Sequence, residues 1–247
     1  MAGDDSVWKD KELSRIFLDN VRGAIPFAAE QIEILHAVVS HALPEVSNFL
    51  DIGCGDGVLG KTVLLKYPAS KGIFLDFSAP MIEKAAANLS DFKDRTELLL
   101  RDFGEKGWVE AVAEKAPFDL VVSGLAIHHQ SDESKFRIYG DIFGLLSPGG
   151  VFLNIEHVLS PTELVKTMAD DYFIDSLYEY NRARGLTREE VAGEFYNRVD
   201  KAANILGPVE TQCEWLKRIG FTDVDCFFKV FELAVFGGRR PASSGTD

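Results

Sequence analysis

Gly53, Gly55 and Gly57 stand at alternate positions directly after a short apolar run, and this stretch carries the first sign of chemistry in the chain. The run, 48–52, is long enough for one buried strand and has an acid, Asp51, near its end. Because glycine has no side chain, a glycine turn lets the backbone approach a ligand closely. The stretch therefore predicts a ligand-binding turn between a strand and the helix that follows it.

The acid before the glycines indicates what kind of ligand the turn would bind. A dinucleotide fingerprint reads G-x-G-x-x-G, and its third glycine would fall at Val58. The chain instead has Asp-x-Gly-x-Gly-x-Gly, beginning at Asp51. A carboxylate at a strand end repels a pyrophosphate but attracts a cationic amino-acid head group. Cys54, inside the turn, is interpreted as a small residue that fills tight space.

A second acid follows at the interval expected for ribose recognition. Asp76 ends the apolar stretch 72–76, about twenty residues beyond the glycine turn, where a βαβ unit brings a carboxylate to ribose hydroxyls. Ser78 is a predicted N-cap for the next helix. Phe77 and Met81, close to that acid, can pack on an adenine ring or belong to the protein core.

Four side chains near the ends of two later strands have acid–base chemistry. His128 and His129 follow the fourth apolar stretch, and Glu156 and His157 end the fifth. Imidazole titrates near neutrality, so one of the paired histidines can serve as a general base. The alternative is that one is a buried structural histidine and the other only shapes a pocket. The same residue types can bind a metal, but adjacent strand residues point to opposite faces, so no metal site is predicted.

These residues require a scaffold in which strands and helices alternate. In an open α/β sheet, ligands bind at the carboxyl ends of the strands, which is where all of the candidate residues stand. The pattern therefore predicts a doubly wound α/β sheet. Its predicted strands are 48–52, 72–76, 96–101, 118–124 and 151–157, with helices at 58–66, 134–146 and 209–219 and a final strand pair at 220–228 and 231–236.

Taken together, these stretches resemble the class I S-adenosylmethionine (SAM)-dependent methyltransferases. The glycine turn resembles motif I of that family, and Asp102 followed by Phe103 resembles its adenine-binding position. The segment 118–121, Phe-Asp-Leu-Val, resembles its fourth strand. The Pro-Gly-Gly turn after Ser147 and the Gly-Phe turn at 220–221 resemble later connections, and the paired histidines resemble those of many members that act on small molecules.

The resemblance implies a SAM-dependent methyltransferase with S-adenosylhomocysteine (SAH) as product. The implied fold is α/β, a Rossmann-like, seven-stranded, mostly parallel sheet with helices on both faces. A small-molecule acceptor would attack the methyl group in line, and the acceptor atom stays open among O, N, C and S. The implied cofactor contacts, the last two beneath the methyl group, are Asp51, Gly53, Cys54, Gly55, Gly57, Asp76, Phe77, Met81, Asp102, Phe103, Ser123 and Leu125.

Additional segments flank and interrupt this fold. Helices are predicted over 10–20 and 26–41 before the first strand, and over 161–184 and 187–206 in an aromatic-rich insertion after the fifth strand. An insertion there lies above the ligand edge of the sheet, which predicts a substrate lid. The predicted units are 1–45 (N-terminal helical cap), 46–157 with 208–238 (methyltransferase core), 158–207 (helical lid) and 239–247 (polar tail).

Length and charge limit the possible partners. The chain has 247 residues, enough for one large α/β domain, and a net charge of −13, which repels nucleic-acid phosphates and anionic membranes. It has no apolar run as long as a membrane span, and its N-terminus is acidic and unlike a signal peptide. Its three cysteines lack metal spacing. We expect a cytoplasmic monomer or homodimer that binds neither nucleic acid nor membrane.

Two other functions fit the same motifs. The first is a SAM-binding regulatory protein without transferase activity, which would lack an enclosed pocket beside the methyl group. The second is another transferase on this fold, such as an aminopropyltransferase that uses decarboxylated SAM, because an acidic chain attracts a polyamine. The similarity at 118–122 and 147–150 fits methyl transfer at least as well.

Overall fold

A mixed β-sheet organises the part of the chain that the computed structural model describes, residues 9–10, 15, 17–18 and 21–242. The predicted helix over 10–20 lies almost entirely outside these residues, as does the end of the polar tail. The strands of the sheet are β1 (Asn48–Ile52), β2 (Lys71–Asp76), β3 (Thr96–Leu100), β4 (Phe118–Gly124), β5 (Leu146–His157), β6 (Thr222–Val230) and β7 (Leu233–Arg239).

The strand order is β3-β2-β1-β4-β5-β7-β6. The first five strands pair in parallel, and β7 lies antiparallel between β5 and β6. This arrangement confirms the predicted seven-stranded, mostly parallel, Rossmann-like sheet. It also brings the carboxyl ends of β1, β2, β4 and β5 to one edge, where the candidate residues stand.

Helices cover both faces of the sheet. They are α1 (Ala28–Ala42), α2 (Val58–Lys66), α3 (Ala79–Asn88), α4 (Asp132–Leu145), α5 (Glu163–Tyr180), α6 (Arg188–Tyr196) and α7 (Val209–Ile219). Short 3-10 turns include Arg22–Ala24, Ile127–His129 and Val199–Ala203. Within the described residues, no helix combines the length and the apolar character that crossing a membrane requires.

Alternating side chains of the central strands build a core on each face. Leu50 of β1 belongs to the same buried cluster as Ile138 of α4. Its neighbour Phe49 points to the other side and packs in a cluster with Leu35 of α1 and Val63 of α2. A parallel sheet that is buried on both faces needs continuous apolar strands rather than alternating ones, which explains the uninterrupted runs in the sequence.

Local capping signals set several helix boundaries as predicted. The Ser78 hydroxyl accepts a hydrogen bond from the Met81 amide and caps α3. Thr187 and Glu190 form a reciprocal capping box at the start of α6. The observed bounds of α2, β4 and α7 equal the predicted ones, because each begins or ends at a residue with a strong local preference.

Other boundaries were predicted wrongly. Helix α1 begins after Pro26 rather than at it, because Phe27 adopts a left-handed conformation with φ of 56°. Helix α4 begins at Asp132, two residues before the predicted start at 134, because the Ser131 side chain caps it. The Pro-Gly-Gly segment is no separate turn: β5 already begins at Leu146, and its pairing with β4 shifts register there.

The insertion between β5 and α7 is also less helical than predicted. Helix α6 ends at Tyr196, where the Asn197 side chain donates to the Gly193 carbonyl, and a 3-10 turn at Val199–Ala203 replaces the expected continuation. Side chains of α5 and α6 pack together with the N-terminal Val21 in a small buried cluster of their own. Some of the aromatic residues therefore form the core of this subdomain.

Candidate active site

A cavity of about 770 Å³ opens at the carboxyl ends of β1, β2, β4 and β5. One wall is the glycine turn, and the opposite walls come from the N-terminal segment and from α5 and α6. Phe27 and Tyr172 close part of the rim, with ring centroids 5.4 Å apart and ring planes 9° apart. The core strands and both additional segments thus meet around the same space.

The glycine turn has the backbone shape that its sequence predicts. Gly53 has φ of +64°, and a Cβ added there would lie 2.3 Å from the Cβ of Ala126. A side chain at this position would strain the backbone and would also displace the neighbouring loop. Asp51 is fully buried, and its Oδ2 accepts a hydrogen bond of 2.8 Å from the Gly60 amide. This carboxylate ties the end of β1 to the first turn of α2 while one side of it lines the cavity.

Asp76 forms the second acidic corner of the cavity. Its two carboxylate oxygens accept hydrogen bonds of 2.8 Å from the amides of Gly55 and Ser78. These bonds hold the glycine turn against the end of β2. Burial raises the pKa of Asp76 from 3.8 to about 6, although the backbone hydrogen bonds oppose this shift. The carboxylate is thus fixed in position and poorly solvated, as an acceptor for ligand hydroxyls should be.

Apolar side chains line the cavity next to Asp76. Phe77, Met81 and Phe103, which were predicted to contact adenine, all contribute to its wall. Leu125, also in the wall, has a positive φ of 53°, and its amide donates to the Ile155 carbonyl at 2.8 Å. Such a conformation is costly for leucine, so the pairing of β4 and β5 must hold it in place.

Three predicted cofactor contacts are absent from the cavity wall. Gly57 is the N-cap residue of α2, with φ of 79°. The Asp102 carboxylate accepts a hydrogen bond from the Gly104 amide at 2.7 Å and stabilises the turn after β3. The Ser123 hydroxyl is buried and donates to the Ile52 carbonyl at 2.9 Å, so it joins β4 to β1. These three residues support the elements around the cavity without lining it.

His128 is held by a buried carboxylate. Its Nδ1 lies 2.5 Å from Glu156 Oε1, and Glu156 has no exposed surface. Glu156 also accepts hydrogen bonds from the Asn154 side-chain amide and from the His157 backbone amide. Because an ionised carboxylate is only an acceptor, this contact assigns the proton to Nδ1 and leaves Nε2 of His128 as a potential base. His128 lines the cavity, whereas Glu156 stands behind it.

The other two histidines have different surroundings. The His129 ring lies 4.0 Å from the His128 ring at an interplanar angle of 49°, and its Nδ1 lies 3.4 Å from the Ala203 carbonyl. Burial, assisted by His128, lowers the pKa of His129 to about 2, so it is a poor base at neutral pH. His157 pairs with Glu232 through a contact of 2.8 Å from Nε2 to Oε2. His157 and Glu156 face different partners, as adjacent strand residues should.

The structure adds cavity residues that the motifs did not predict. Gln31 of α1 is 1% exposed, and its Nε2 donates to the Pro26 carbonyl. Its position four residues before Leu35 on the buried face of the helix was the only available signal. Lys166, Arg198 and Lys201 bring positive charge from the insertion. Nothing local in the sequence indicates that these three side chains face a ligand.

The described residues contain no group of three or more histidine, cysteine, aspartate or glutamate side chains arranged to hold a metal ion. The site can nevertheless place polar groups around an elongated ligand. Asp51 and Asp76 lie at one end, apolar side chains lie beside them, and the His128–Glu156 pair faces the same space.

Comparisons with known proteins agree with this arrangement. Residues 50–152 match the family model for a methyltransferase domain. A malonyl-[acyl-carrier protein] O-methyltransferase from Magnetococcus marinus is 34% identical over 141 residues, which cover 57% of this chain but 45% of that protein. A carboxy-S-adenosyl-L-methionine synthase from Aeromonas salmonicida is 24% identical over 228 residues, which cover 91% of this chain and 87% of that protein. The chain thus spans less than half of the first relative and most of the second.

Solved structures share the fold at low sequence identity. An O-methyltransferase family protein from Burkholderia thailandensis has a TM-score of 0.62 and 15% identity, over 92% of this chain and 62% of that one. The structure of PigF with SAH has a TM-score of 0.60 and 17% identity, over 95% and 61% of the respective chains. Residues 50–152 thus match a methyltransferase domain, and the sheet order and the glycine turn resemble those of the class I SAM-dependent methyltransferases.

Proposed function

We propose that this protein transfers the methyl group of SAM to a small-molecule acceptor whose attacking atom loses a proton to His128. The observation that carries the proposal is His128, which lines the same cavity as the glycine turn and is held at 2.5 Å by the buried Glu156 behind it. A non-catalytic SAM-binding protein would have no use for an oriented imidazole beside its ligand.

The proposed placement of SAM follows the chemistry of the wall. The cationic amino-acid end lies against Asp51 and the glycine turn, and the ribose hydroxyls donate to Asp76. The adenine ring packs among Phe77, Met81 and Phe103. Leu125, at the end of β4, then lies beneath the reacting methyl group. This placement needs no contact with Gly57, Asp102 or Ser123, which support the turn, the strand end and the sheet.

The proposed chemistry needs little from the protein beyond alignment and one proton transfer. A sulfonium is an excellent leaving group, so the site contributes proximity, in-line orientation and exclusion of water. His128 Nε2 takes the proton from an acceptor O–H or N–H, while Glu156 stabilises the resulting imidazolium. A positioned general base of this kind contributes roughly 10²- to 10⁴-fold in rate. His129 and His157 position the pair and the acceptor without taking the proton.

The enclosure of the cavity supports a small acceptor. The N-terminal segment and the helices α5 and α6 cover the ligand edge of the sheet, and we propose that they act as a lid. A net charge of −13 disfavours nucleic acid and anionic membranes as partners. We propose a cytoplasmic enzyme that works as a monomer or homodimer on a diffusible acceptor.

A second candidate function rests on the extent of one similarity. The carboxy-S-adenosyl-L-methionine synthase of Aeromonas salmonicida is similar over 91% of this chain, which includes the insertion, whereas the methyltransferase-domain match ends at residue 152. A chain with that activity would modify SAM itself and release no SAH. The aminopropyltransferase alternative has no comparable support.

The first experiment is calorimetric titration with SAM and SAH. We expect micromolar binding of both, and a chain that binds neither would overturn the assignment of the cavity. Mass spectrometry of reactions with SAM and a panel of hydroxylated and amino acceptors then separates the two candidates. Formation of SAH with a methylated acceptor supports methyl transfer. In parallel reactions that add a carboxyl donor, conversion of SAM to a carboxylated sulfonium supports the synthase. The variant H128Q should lose methyl transfer while it keeps SAM binding.

A further inference from the structure

The cavity wall beside the insertion combines three basic side chains with three acidic ones, Asp170, Asp200 and Glu232. The whole chain carries a net charge of −13, yet Lys166, Arg198 and Lys201 all line this wall. Arg198 is paired with Asp200, since its guanidinium contacts both carboxylate oxygens. The charges of Arg198 and Asp200 cancel and Asp200 is buried, so the pair offers little net charge to a ligand. The two lysines are arranged differently.

Lys166 and Lys201 share a single carboxylate. The Lys166 ammonium lies 2.8 Å from Asp170 Oδ2, whereas the Lys201 ammonium lies 3.7 Å from Asp170 Oδ1. Asp170 therefore holds Lys166 by a hydrogen bond, whereas the Lys201 ammonium lies beyond hydrogen-bond distance of it. The carboxylates of Asp170 and Glu232 both act electrostatically on Lys201, but of the two lysines it is the less tightly paired with Asp170. Glu232, also in this wall, is engaged by the ring of His157 at 2.8 Å.

Lys201 is poorly solvated as well as poorly paired. Its ammonium stands 3.5 Å from the ring centroid of Phe195 and 5.3 Å from that of Tyr196. The side chain is about half-buried, and this burial is the largest cause of the lowered pKa of Lys201. A cation in such surroundings gains from an anionic ligand that replaces lost water, more than an exposed lysine would.

The backbone around Lys201 is fastened to the histidine pair. The Ile205 amide donates to the His128 carbonyl at 2.8 Å, and the Ala203 carbonyl faces His129 Nδ1 at 3.4 Å. The 3-10 turn that carries Lys201 is therefore docked on the turn that carries His128. A ligand that touches the Lys201 ammonium with one end is directed toward the proposed base with the other.

We propose that Lys201 binds an anionic group, a carboxylate or a phosphate, on the acceptor. The inference rests on the proposed function and extends it to a substrate class: small acidic molecules with an apolar or aromatic body that packs against Phe195. The methyl-accepting O–H or N–H lies at the other end of the molecule, toward His128. The lysine is a specificity residue, and SAM binding does not depend on it.

Matched ligands test the inference on SAH-loaded protein. The probes are three sets of aromatic compounds with the same hydroxylated rings, carrying a carboxylate, a phosphate or a neutral carboxamide. Saturation-transfer NMR measures the binding of each set. We expect the acids to bind and the carboxamides to bind at least about tenfold more weakly, as for the loss of one charge-assisted contact. Comparison of the carboxylate and phosphate sets identifies the preferred anion.

Variants assign that preference to the residue. K201M should lose the preference for acids, and K201R should keep most of it. K217M is the control, because Lys217 is exposed on α7 and pairs with Glu214 at 2.7 Å. Equal binding of acids and carboxamides by the wild type, or an acid preference that persists in K201M, overturns the inference. A melting curve of K201M with SAH confirms that the variant is folded.

The outcome also separates this inference from the proposed function. If the wild type binds no SAH, the cofactor assignment fails first. If SAH binds equally to wild type and K201M but no acid preference exists, only the role of Lys201 is refuted. If K201M binds SAH at least about tenfold more weakly than wild type does, the residue belongs to the cofactor site, and the acceptor assignment is wrong.

Discussion

Replacement of Asp76 by asparagine should stabilise the ligand-free protein while it weakens SAM binding. The carboxylate is buried, and its pKa is raised from 3.8 to about 6. A raised folded-state pKa means that the ionised form is less favourable in the folded chain than in the unfolded one. The folded state therefore binds the proton more tightly between these two values, and stability falls as pH rises through this window. Above about pH 6, the buried and ionised Asp76 carboxylate destabilises the folded state to its full extent.

The magnitude follows from the shift. Roughly two pKa units correspond to about 3 kcal/mol of destabilisation at neutral pH. Asparagine removes the charge but can accept only one of the two backbone hydrogen bonds from Gly55 and Ser78, and the unsatisfied buried amide costs about 1–3 kcal/mol. The net gain is therefore at most about 2 kcal/mol, or roughly 4–8 °C in melting temperature for a chain of this size. The loss of charged acceptors for the ribose hydroxyls should reduce SAM affinity by roughly 10- to 100-fold.

Two assays check the argument. Thermal melts of the ligand-free wild type and D76N are compared from pH 5 to pH 8. The melting temperature of the wild type relative to that of D76N should decline as pH rises. Calorimetry with SAM measures the affinity. D94N, which neutralises an exposed carboxylate on the turn after α3, is the control and should change neither property. Unchanged SAM affinity of D76N would refute the ribose assignment, and a melting temperature below wild type would refute the desolvation argument.

Further variants test other parts of the site. H128Q and E156Q should each reduce the rate of SAH release by roughly 10²- to 10⁴-fold without weakening SAM binding. The rate of the double variant should be little lower, because the two side chains act as one unit. Equal rates for wild type and H128Q would show that His128 is not the base. G53A should abolish SAM binding and lower the melting temperature, because its new methyl group would lie 2.3 Å from a neighbouring side chain. The control G185A has a similar φ of +69° but lies in open space, so it should lower the unfolding free energy by only about 1 kcal/mol and retain SAM binding. Y139F should lower the unfolding free energy by about 1–3 kcal/mol in denaturant melts, because the buried Gln212 Oε1 loses the Tyr139 hydroxyl that donates to it at 2.6 Å. A change in SAM affinity would contradict the placement of Tyr139 outside the cavity.

Elements with strong local signals were predictable. The apolar runs that became β1 and β4 are buried on both faces, so the residue types alone indicated strands there. Ser78 and Thr187 mark helix starts because their side chains satisfy free backbone amides. The end of α6 was mispredicted since a helical periodicity continued past Tyr196, while the packing of the 3-10 turn against the histidine pair favoured a different conformation.

The candidate site divides in the same way. Asp51, Asp76, Gly53 and Gly55 line one cavity because a βα unit fixes their relative positions within a few dozen residues. Asp102 and Ser123 hydrogen-bond backbone groups and do not line it, so their contact with the cofactor stays a prediction. The direction of a polar side chain at a strand end depends on the local backbone conformation there. Spacing in the sequence does not reveal whether that side chain points to the ligand or to the scaffold.

By itself the sequence determined the fold class, the ligand edge of the sheet and the acids at the ends of β1 and β2, since these depend on local periodicity and short-range turns. Only the tertiary structure decided that Glu156 orients His128 rather than joining His157, and that the Lys201 ammonium faces the cavity at 3.7 Å from the Asp170 carboxylate. These facts depend on contacts between segments far apart in the chain. Burial and pairing of charge arise when such segments meet, so no local pattern carries them.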